Sequence, residues 1–100
     1  MCEIWKDILD YEGYYKVSNY GRVMSVKRKY RPKEIILKQA RNKDGYMLVG
    51  LRKDGIIHSY YVHRLVYEAF NGSLPSEMHI NHINEDKSDN RLENLNAMSQ

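Results

Sequence analysis

The stretch from His79 to Leu95, HINHINEDKSDNRLENL, decides the fold of this chain more than any other part of it. It places Asn81 beside His82, continues through a polar loop, and reaches Asn94 close to two leucines. A histidine side chain accepts a proton from water near neutral pH, and a neighbouring amide can ligate a metal or orient the ring. The stretch therefore predicts two strands and a loop that carry the groups needed for one-metal hydrolysis of a phosphodiester.

A simpler interpretation of the same residues stays open at this point. His82 can be a partly buried histidine, and Asn81 and Asn94 can be turn formers. His79 and His82 also form a His-x-x-His pair, but two zinc ligands without a nearby cysteine make a weak site.

The polar loop 84–90 also invites a calcium interpretation, which its spacing does not support. An EF-hand loop needs glycine at its sixth position and glutamate at its twelfth. Counted from Asn84, those positions are Asp89 and Leu95. An exposed polar turn is the better prediction for these residues.

Composition limits the remaining possibilities. One hundred residues make one domain or two very small ones, and the 42% apolar share supports a modest core. The single cysteine, Cys2, excludes an internal disulfide and a multi-cysteine zinc site, and it favours a reducing compartment. Since the sequence contains no signal peptide and no long apolar run, we expect a protein that is neither secreted by the usual route nor inserted in a membrane.

The charge is unevenly distributed along the chain. The net charge is +3 with a pI near 9.0, and Glu34 is the only acidic residue in the span 22–43. The basic residues of that span are Arg22, Lys27, Arg28, Lys29, Arg31, Lys33, Lys38, Arg41 and Lys43. Such a surface can simply keep a small protein soluble, but nine cations against one anion favour contact with the phosphates of a nucleic acid. Tyr30 and Tyr46 accompany these charges and can stack on bases.

The first half of the chain has the pattern of short strands separated by turns. The predicted strands are Tyr14–Ser18, Arg22–Lys27, Glu34–Ala40, Tyr46–Arg52 and Ile56–Val62, with Asp54-Gly55 as a hairpin turn. Ile4 and Trp5 are expected to hold the N-terminus against this sheet.

At the start of the second half, the spacing of apolar residues changes from that of a strand to that of a helix. Residues 63–70 place apolar side chains on one side of a short helix that Asn71-Gly72 ends, and His63 is expected to pack against or cap this helix. Met78–Ile83 and Leu92–Met98 are the two strands on either side of the polar loop.

Three segments together resemble a known family. EIWKDI (3–8) with YEGYYKVSNYGRVMS (11–25) resembles the nuclease-associated modular motif at the front of phage and intron-encoded homing endonucleases. VHRLVYEAF (62–70) resembles their linking helix, and NHINEDKSDNRLENL (81–95) resembles their HNH motif. The resemblance covers nearly the whole chain and keeps the family's order.

This resemblance implies an α+β fold in two parts. Residues 1–62 would form an N-terminal antiparallel β-meander that binds DNA. Residues 63–100 would form the short linking helix and a ββα-metal (HNH) β-hairpin that lacks most of its final helix.

The resemblance also implies roles for particular residues. His82 matches the general base, Asn81 the first metal ligand, and Asn94 the central asparagine that orients the histidine and holds the loop. Mg2+ or Mn2+ would be the cofactor. The family's last ligand, a histidine or asparagine, lies on the helix after the second strand, and the chain ends at Gln100, where that helix is expected to begin.

Two functions are therefore expected from the sequence. The first is an HNH-type homing endonuclease relative that binds duplex DNA and hydrolyses or nicks it with a divalent metal, in the cytoplasm of a bacterial host, as the product of a phage or mobile element. The alternative is a catalytically inactive, truncated relative that binds DNA or a host protein. A weaker third possibility is RNA, since strands rich in tyrosine also suit single strands. The sequence leaves the oligomeric state open.

Overall fold

A computed structural model describes residues 2–29 and 32–99. Nine strands, one α-helix and one 3-10 turn are present in these ranges, so the α+β fold class is confirmed. The strands are β1 (Trp5–Asp7), β2 (Tyr15–Ser18), β3 (Val23–Ser25), β4 (Ile35–Ile36), β5 (Ala40–Arg41), β6 (Met47–Lys53), β7 (Ile56–Tyr61), β8 (Met78–His82) and β9 (Leu95–Ser99). The helix α1 spans Val62–Asn71, and the 3-10 turn spans Leu92–Asn94.

The strands form three antiparallel sheets. The first is the predicted meander, with the order β1-β2-β3-β4, and the second has the order β5-β6-β7. The strands β8 and β9 form a separate two-stranded hairpin, in which Asn81 lies opposite Asn96 and His82 lies opposite Leu95. The residues of the candidate site are thus brought together by one hairpin.

One apolar core joins the meander, the second sheet and the helix. Its most buried side chains include Val17 and Val23 of the meander, Leu51 of β6, and Val62 and Val66 of α1. Leu95 of β9 also belongs to this cluster, so the hairpin that carries the candidate site is anchored in the common core. Removing such side chains from water is the dominant stabilising contribution to a domain of this size.

The helix agrees closely with the sequence pattern. It begins one residue before the predicted start and ends one residue after the predicted end, and Gly72 closes it with a φ of 86°. Glycine reaches this left-handed conformation without the steric cost that other residues bear. The buried residues Val62, Leu65 and Val66 lie on the predicted apolar side.

The predicted strand Glu34–Ala40 is wrong as one element. Ile35 and Ile36 pair with β3, whereas Ala40 pairs with Leu48 of β6, so the segment belongs to two different sheets. Between them the chain bends, and the Leu37 amide donates to the Val23 carbonyl at 2.8 Å. A local apolar pattern does not reveal that a segment changes its pairing partner.

The two ends of the chain show smaller differences. The strand β1 was not predicted, although Trp5 does pair with the meander, and the Ile4 amide donates to the Asn19 Oδ1 at 2.7 Å. The predicted strand Leu92–Met98 begins only at Leu95, because the Leu92 amide bonds to the Asn19 carbonyl at 2.8 Å instead of pairing with β8.

Candidate active site

His82 is the most constrained polar side chain of the hairpin. It is 6% exposed, and its Nε2 lies 2.7 Å from the Oδ1 of Asn90, which is 4% exposed. An amide oxygen only accepts hydrogen bonds, so with this partner Nε2 is the donor. This bond fixes the orientation of the ring and leaves Nδ1 as the nitrogen available to accept a proton.

The prediction that Asn94 forms a hydrogen bond with this ring is wrong. Asn94 is buried in the 3-10 turn, and its Oδ1 accepts from the Asn84 amide at 3.0 Å. Its Nδ2 donates to the Asn84 Oδ1 at 3.0 Å and to the Asp89 carbonyl at 2.8 Å. Because these contacts occupy both ends of the amide, Asn94 holds the two sides of the loop together and Asn90 orients the histidine.

The acidic residues of the loop 83–94 are engaged by the loop itself. Asp86 accepts from the Ser88 amide at 3.0 Å and the Ser88 hydroxyl at 2.6 Å, and these hydrogen bonds lower its pKa. Hydrogen bonds from the Arg91 side chain, with smaller help from Asn84, lower the pKa of Asp89 to about 2. Both carboxylates therefore stabilise the loop conformation as anions.

Asn81 and His82 are neighbours on a strand, yet both line one open depression of about 260 Å³. Tyr46, Glu85 and Lys87 complete its lining. The ammonium of Lys87 lies 4.7 Å from the centre of the Tyr46 ring and donates to the Asp44 carbonyl at 3.1 Å. The depression thus combines a proton acceptor, two oxygen donors suited to a cation, and a cation suited to a phosphate.

Two oxygen donors of this depression are of the chemical type that binds a divalent cation. The Asn81 amide and the Glu85 carboxylate are of the type that Mg2+ prefers, but Mg2+ requires nearly octahedral coordination. Within residues 2–29 and 32–99, no group of three or more His, Cys, Asp or Glu side chains is placed to hold a metal ion. These donors match a divalent cation in kind, and the described residues alone supply too few of them to complete its coordination.

A turn of the N-terminal meander contacts the loop from behind. The Asn19 carbonyl accepts from Leu92, and a Cβ placed on Gly21 would lie 3.0 Å from the Asn90 carbonyl oxygen. Gly21 has a φ of 90°, a conformation that favours glycine. The residue that orients His82 is therefore packed directly against the first sheet.

His63 lies beside His82 in a group of aromatic rings. The two imidazoles meet edge to face with 5.2 Å between centroids, and Tyr46 and Tyr61 each lie 5.3 Å from His63. Burial, followed by repulsion from His82 and Arg64, lowers the pKa of His63 to about 4. The expected packing role of His63 is present, and at neutral pH its ring is uncharged.

The predicted DNA-binding residues fall into two groups. Arg22 forms an ion pair with Glu3, and Arg28 donates to the carbonyls of Tyr14 and Val26, each at 3.0 Å. These two arginines therefore also stabilise the fold. The remaining described members are exposed, namely Lys27, Lys29, Lys33, Lys38, Arg41 and Lys43. Arg31, like Tyr30, lies outside the described residues.

Sequence reasoning did not identify Asn90 and Lys87 as members of the site. Both lie in a loop that the sequence predicted as an exposed polar turn, and Asn90 is in fact buried. The only signal for Asn90 in the sequence was the pair Asp89-Asn90, which is also typical of turns. Tyr46 was predicted to stack on bases, whereas its ring in this structure contacts both His63 and Lys87.

A β-hairpin that carries a buried, hydrogen-bonded histidine beside an asparagine, and that follows a strand-rich half of the chain, is the arrangement expected of an HNH nuclease. Residues 3–52 match the NUMOD4 motif, and residues 60–100 match the HNH endonuclease family. The chain belongs to the HNH homing endonuclease family, whose members generally depend on a divalent metal.

Individual relatives support this assignment. The chain is 38% identical over 96 residues to the DNA endonuclease I-HmuI of Bacillus phage SP01, covering 96% of this chain and 52% of that protein. It is 42% identical over 98 residues to an uncharacterized HNH endonuclease of Acanthamoeba polyphaga mimivirus, covering 93% of this chain and 23% of that protein.

A solved structure shows the same fold. The structure describing DNA binding and cleavage by the HNH homing endonuclease I-HmuI superposes with a TM-score of 0.84 at 38% identity, over 97% of this chain and 53% of that one. The chain spans about half the length of this phage relative.

Proposed function

We propose that this chain binds duplex DNA and hydrolyses or nicks its phosphodiester bonds with a divalent metal, Mg2+ or Mn2+. The observation that carries the proposal is the His82–Asn90 hydrogen bond, which leaves Nδ1 as the proton acceptor in a depression that Asn81 and Lys87 also line. The similarity to a phage endonuclease described as binding and cleaving DNA supports it.

Each site residue has a defined part in this proposal. His82 accepts a proton from the attacking water, as an oriented imidazole does in general base catalysis. Asn94 holds the loop, and Asn81 supplies an oxygen ligand to the metal, which would stabilise the leaving oxygen when bound. Residues 63–100 are the nuclease part of the chain.

Residues 1–62 are the DNA-binding part. The exposed cations of the span 22–43 neutralise backbone phosphates, and this contribution is strong at low salt and weak at high salt. Arg22 and Arg28 add their charge while they hold the meander together. Phosphate contacts of this kind position a nuclease without selecting a sequence.

The alternative is a binding module without catalysis, directed at DNA or a host protein. The small number of oxygen donors around Asn81 favours it, because a site with few protein ligands holds a hard cation weakly. A metal that binds the folded state raises its stability. Thermal unfolding that is unchanged by Mg2+ or Mn2+ in both the native protein and Asn81→Ala would favour this alternative.

The proposed setting is the cytoplasm of a bacterial host, with the chain produced by a phage or mobile element. The similarity to a Bacillus phage protein supports this setting. None of the helices in residues 2–29 and 32–99 is long and apolar enough to cross a membrane.

The test is nicking of supercoiled plasmid with Mg2+ and with Mn2+, alongside a DNA-binding measurement at the same protein concentrations. His82→Ala should lower the nicking rate at least about a hundredfold and leave binding intact. His58→Ala is the matched control, because His58 is exposed on β7 and does not line the depression. Equal nicking by the native protein and His82→Ala would contradict the assigned base, and salt-insensitive binding would contradict the DNA partner.

A further inference from the structure

A second depression, of about 360 Å³, opens beside the candidate active site. Its lining consists of Tyr46, Tyr61, His63, Arg64, Ser76, Met78, His79 and Ile80. Tyr46 lines both depressions, and its ring centre lies 6.2 Å from that of His82. The two depressions are therefore adjacent and share this ring.

The polar groups of the second depression suit an anion. Arg64, His79 and Ser76 offer a guanidinium, an imidazole and a hydroxyl, and the lining contains no carboxylate. A guanidinium binds phosphate oxygens in a fixed fork, and a hydroxyl or imidazole N–H adds a single hydrogen bond. Neither the nuclease roles proposed above nor the basic span 22–43 uses any of these three residues.

Arg64 has donors available for such a ligand. Its Nε faces the Glu68 Oε1 at 3.4 Å, while the other Glu68 oxygen accepts from the Leu74 amide at 3.0 Å. In the part of the chain that the structure describes, the terminal nitrogens of Arg64 make no ion pair. The side chain is 48% exposed, so a ligand can reach it.

His63 lines the second depression and lies against His82 of the first, and its ring adds no positive charge there. Its Nδ1 is buried without a hydrogen-bond partner among the described residues, which favours a lone pair at that atom over an unpaired N–H. A charged ring there would repel both Arg64 and a protonated His82. Because the His63 ring is neutral, it does not repel Arg64 in the second depression or Lys87 in the first.

A nucleic acid strand carries regularly repeated charges, with one phosphate per about 3.4 Å of helix axis, so successive phosphates are near neighbours. Two adjacent depressions that share Tyr46 suit neighbouring phosphates of the same strand. This step rests on the nuclease function proposed above, which places the cleaved phosphate in the first depression.

We propose that the second depression is the subsite for a backbone phosphate adjacent to the one cleaved, with Arg64 as its charged ligand and His79 and Ser76 as hydrogen-bond donors. Arg64 is then a positioning residue, because holding the neighbouring phosphate fixes the cleaved one against His82.

The test measures duplex-DNA affinity over a series of salt concentrations for the native protein, Arg64→Gln and Lys6→Gln. The control removes the same charge near the other end of α1, where the Lys6 ammonium lies 5.3 Å from the Phe70 ring centre. Losing one phosphate contact reduces the slope of log affinity against log salt by about 0.9. We expect this reduction in Arg64→Gln and a native slope in Lys6→Gln.

Two further variants keep the test decisive. Arg64→Lys retains one point charge and should restore the slope, whereas a purely structural role would not be rescued in this way. His79→Gln leaves the helix intact and should weaken binding even if Arg64→Gln fails to fold. If Arg64→Gln keeps the native salt slope and His79→Gln keeps the native affinity for DNA, the subsite proposal is overturned while the proposed nuclease function stands. If the native protein does not bind duplex DNA, both the proposed function and the subsite proposal are overturned.

Discussion

The loop 83–94 and the basic segment 27–43 are both polar, and they are built in opposite ways. In the loop, Asn84, Asp89, Arg91 and Asn94 bond to one another, and the chain turns around a closed set of hydrogen bonds. The basic segment has the two-residue strands β4 and β5 as its strands among the residues that the structure describes, and of its described cations all except Arg28 are exposed.

This difference corresponds to two demands on polar residues. Under the proposed function, His82 accepts a proton and must be held within a fraction of an ångström of its productive position, a demand that the hydrogen-bonded loop around it suits. Attraction between cations and phosphates acts over several ångströms and requires no single geometry. The segment can therefore remain loosely packed and still bind a polyanion.

The largest effect is expected from Asn94→Ala. This change removes three hydrogen bonds that the buried Asn94 makes to Asn84 and Asp89, and it leaves a gap where the amide was packed. The free energy of unfolding should fall by about 4 kcal/mol. Urea unfolding measures it, with Asn96→Ala as the control, because Asn96 is exposed on β9. A loss below about 1 kcal/mol would show that the loop does not depend on Asn94.

A somewhat smaller effect is expected from Gly21→Ala, compared with Gly13→Ala. Both glycines have a positive φ, so each alanine should cost about 1 kcal/mol of backbone strain. At Gly21 the new methyl group also overlaps Asn90, which raises the total to about 2–3 kcal/mol. Only Gly21→Ala should slow plasmid nicking, and equal nicking by the two variants would argue that Asn90 does not orient His82.

The acid stability of the protein should depend on His63. Its pKa is about 4 in the fold and near 6.5 when unfolded, so between these values the unfolded state binds more protons and stability falls as the pH is lowered. The charged and titratable groups that face it are His82, Arg64, Tyr46 and Tyr61.

The measurement is thermal unfolding from neutral pH down to about pH 5. The native protein should lose about 1 kcal/mol over this range, after allowance for the part of the ring that water reaches. His63→Phe should remove most of this loss, and the exposed His58→Gln should retain it. The loss of stability from Asp89 begins only below its unfolded value of 3.8, outside this range. A native pH dependence in His63→Phe would contradict the assignment.

The smallest effect on stability is expected in the basic segment itself. Lys38→Gln and Lys43→Gln should change the free energy of unfolding by less than about 0.5 kcal/mol. Each should reduce the salt slope of DNA binding by about 0.9 if the residue contacts a phosphate. Arg28→Gln is the contrasting variant and should also lose about 1–2 kcal/mol, because its guanidinium bonds to the Tyr14 and Val26 carbonyls. Equal stability of all three variants would erase the distinction between the two groups of cations.

The sequence was sufficient to predict those parts of the fold that depend on local pattern. The helix followed from apolar spacing around Val62 and Val66, and the hairpin turn followed from Asp54-Gly55. The pairing of β4 and β5 with different sheets was not predictable, because it depends on distant partners in β3 and β6.

The candidate site shows the same division. Asn81 and His82 are adjacent in the sequence, so both lie on β8 whatever its pairing, and their assigned roles stay predictions. The Asn90–His82 bond depends on the path of an eight-residue loop and on contact with Gly21. The approach of His63 to His82 depends on how α1 packs against the hairpin. Neither relation leaves a periodic signal in the sequence.

The contact of the Asn19–Gly21 turn with the loop 83–94 has a practical consequence for recombining such proteins. Exchanging the first 62 residues with those of a relative would replace the surface against which Asn90 rests, even though the exchanged part carries no reacting group. A working chimaera should therefore inherit this turn together with the hairpin that it supports. An exchange therefore has to leave Asn19–Gly21 in place or to move the hairpin together with the first half of the chain.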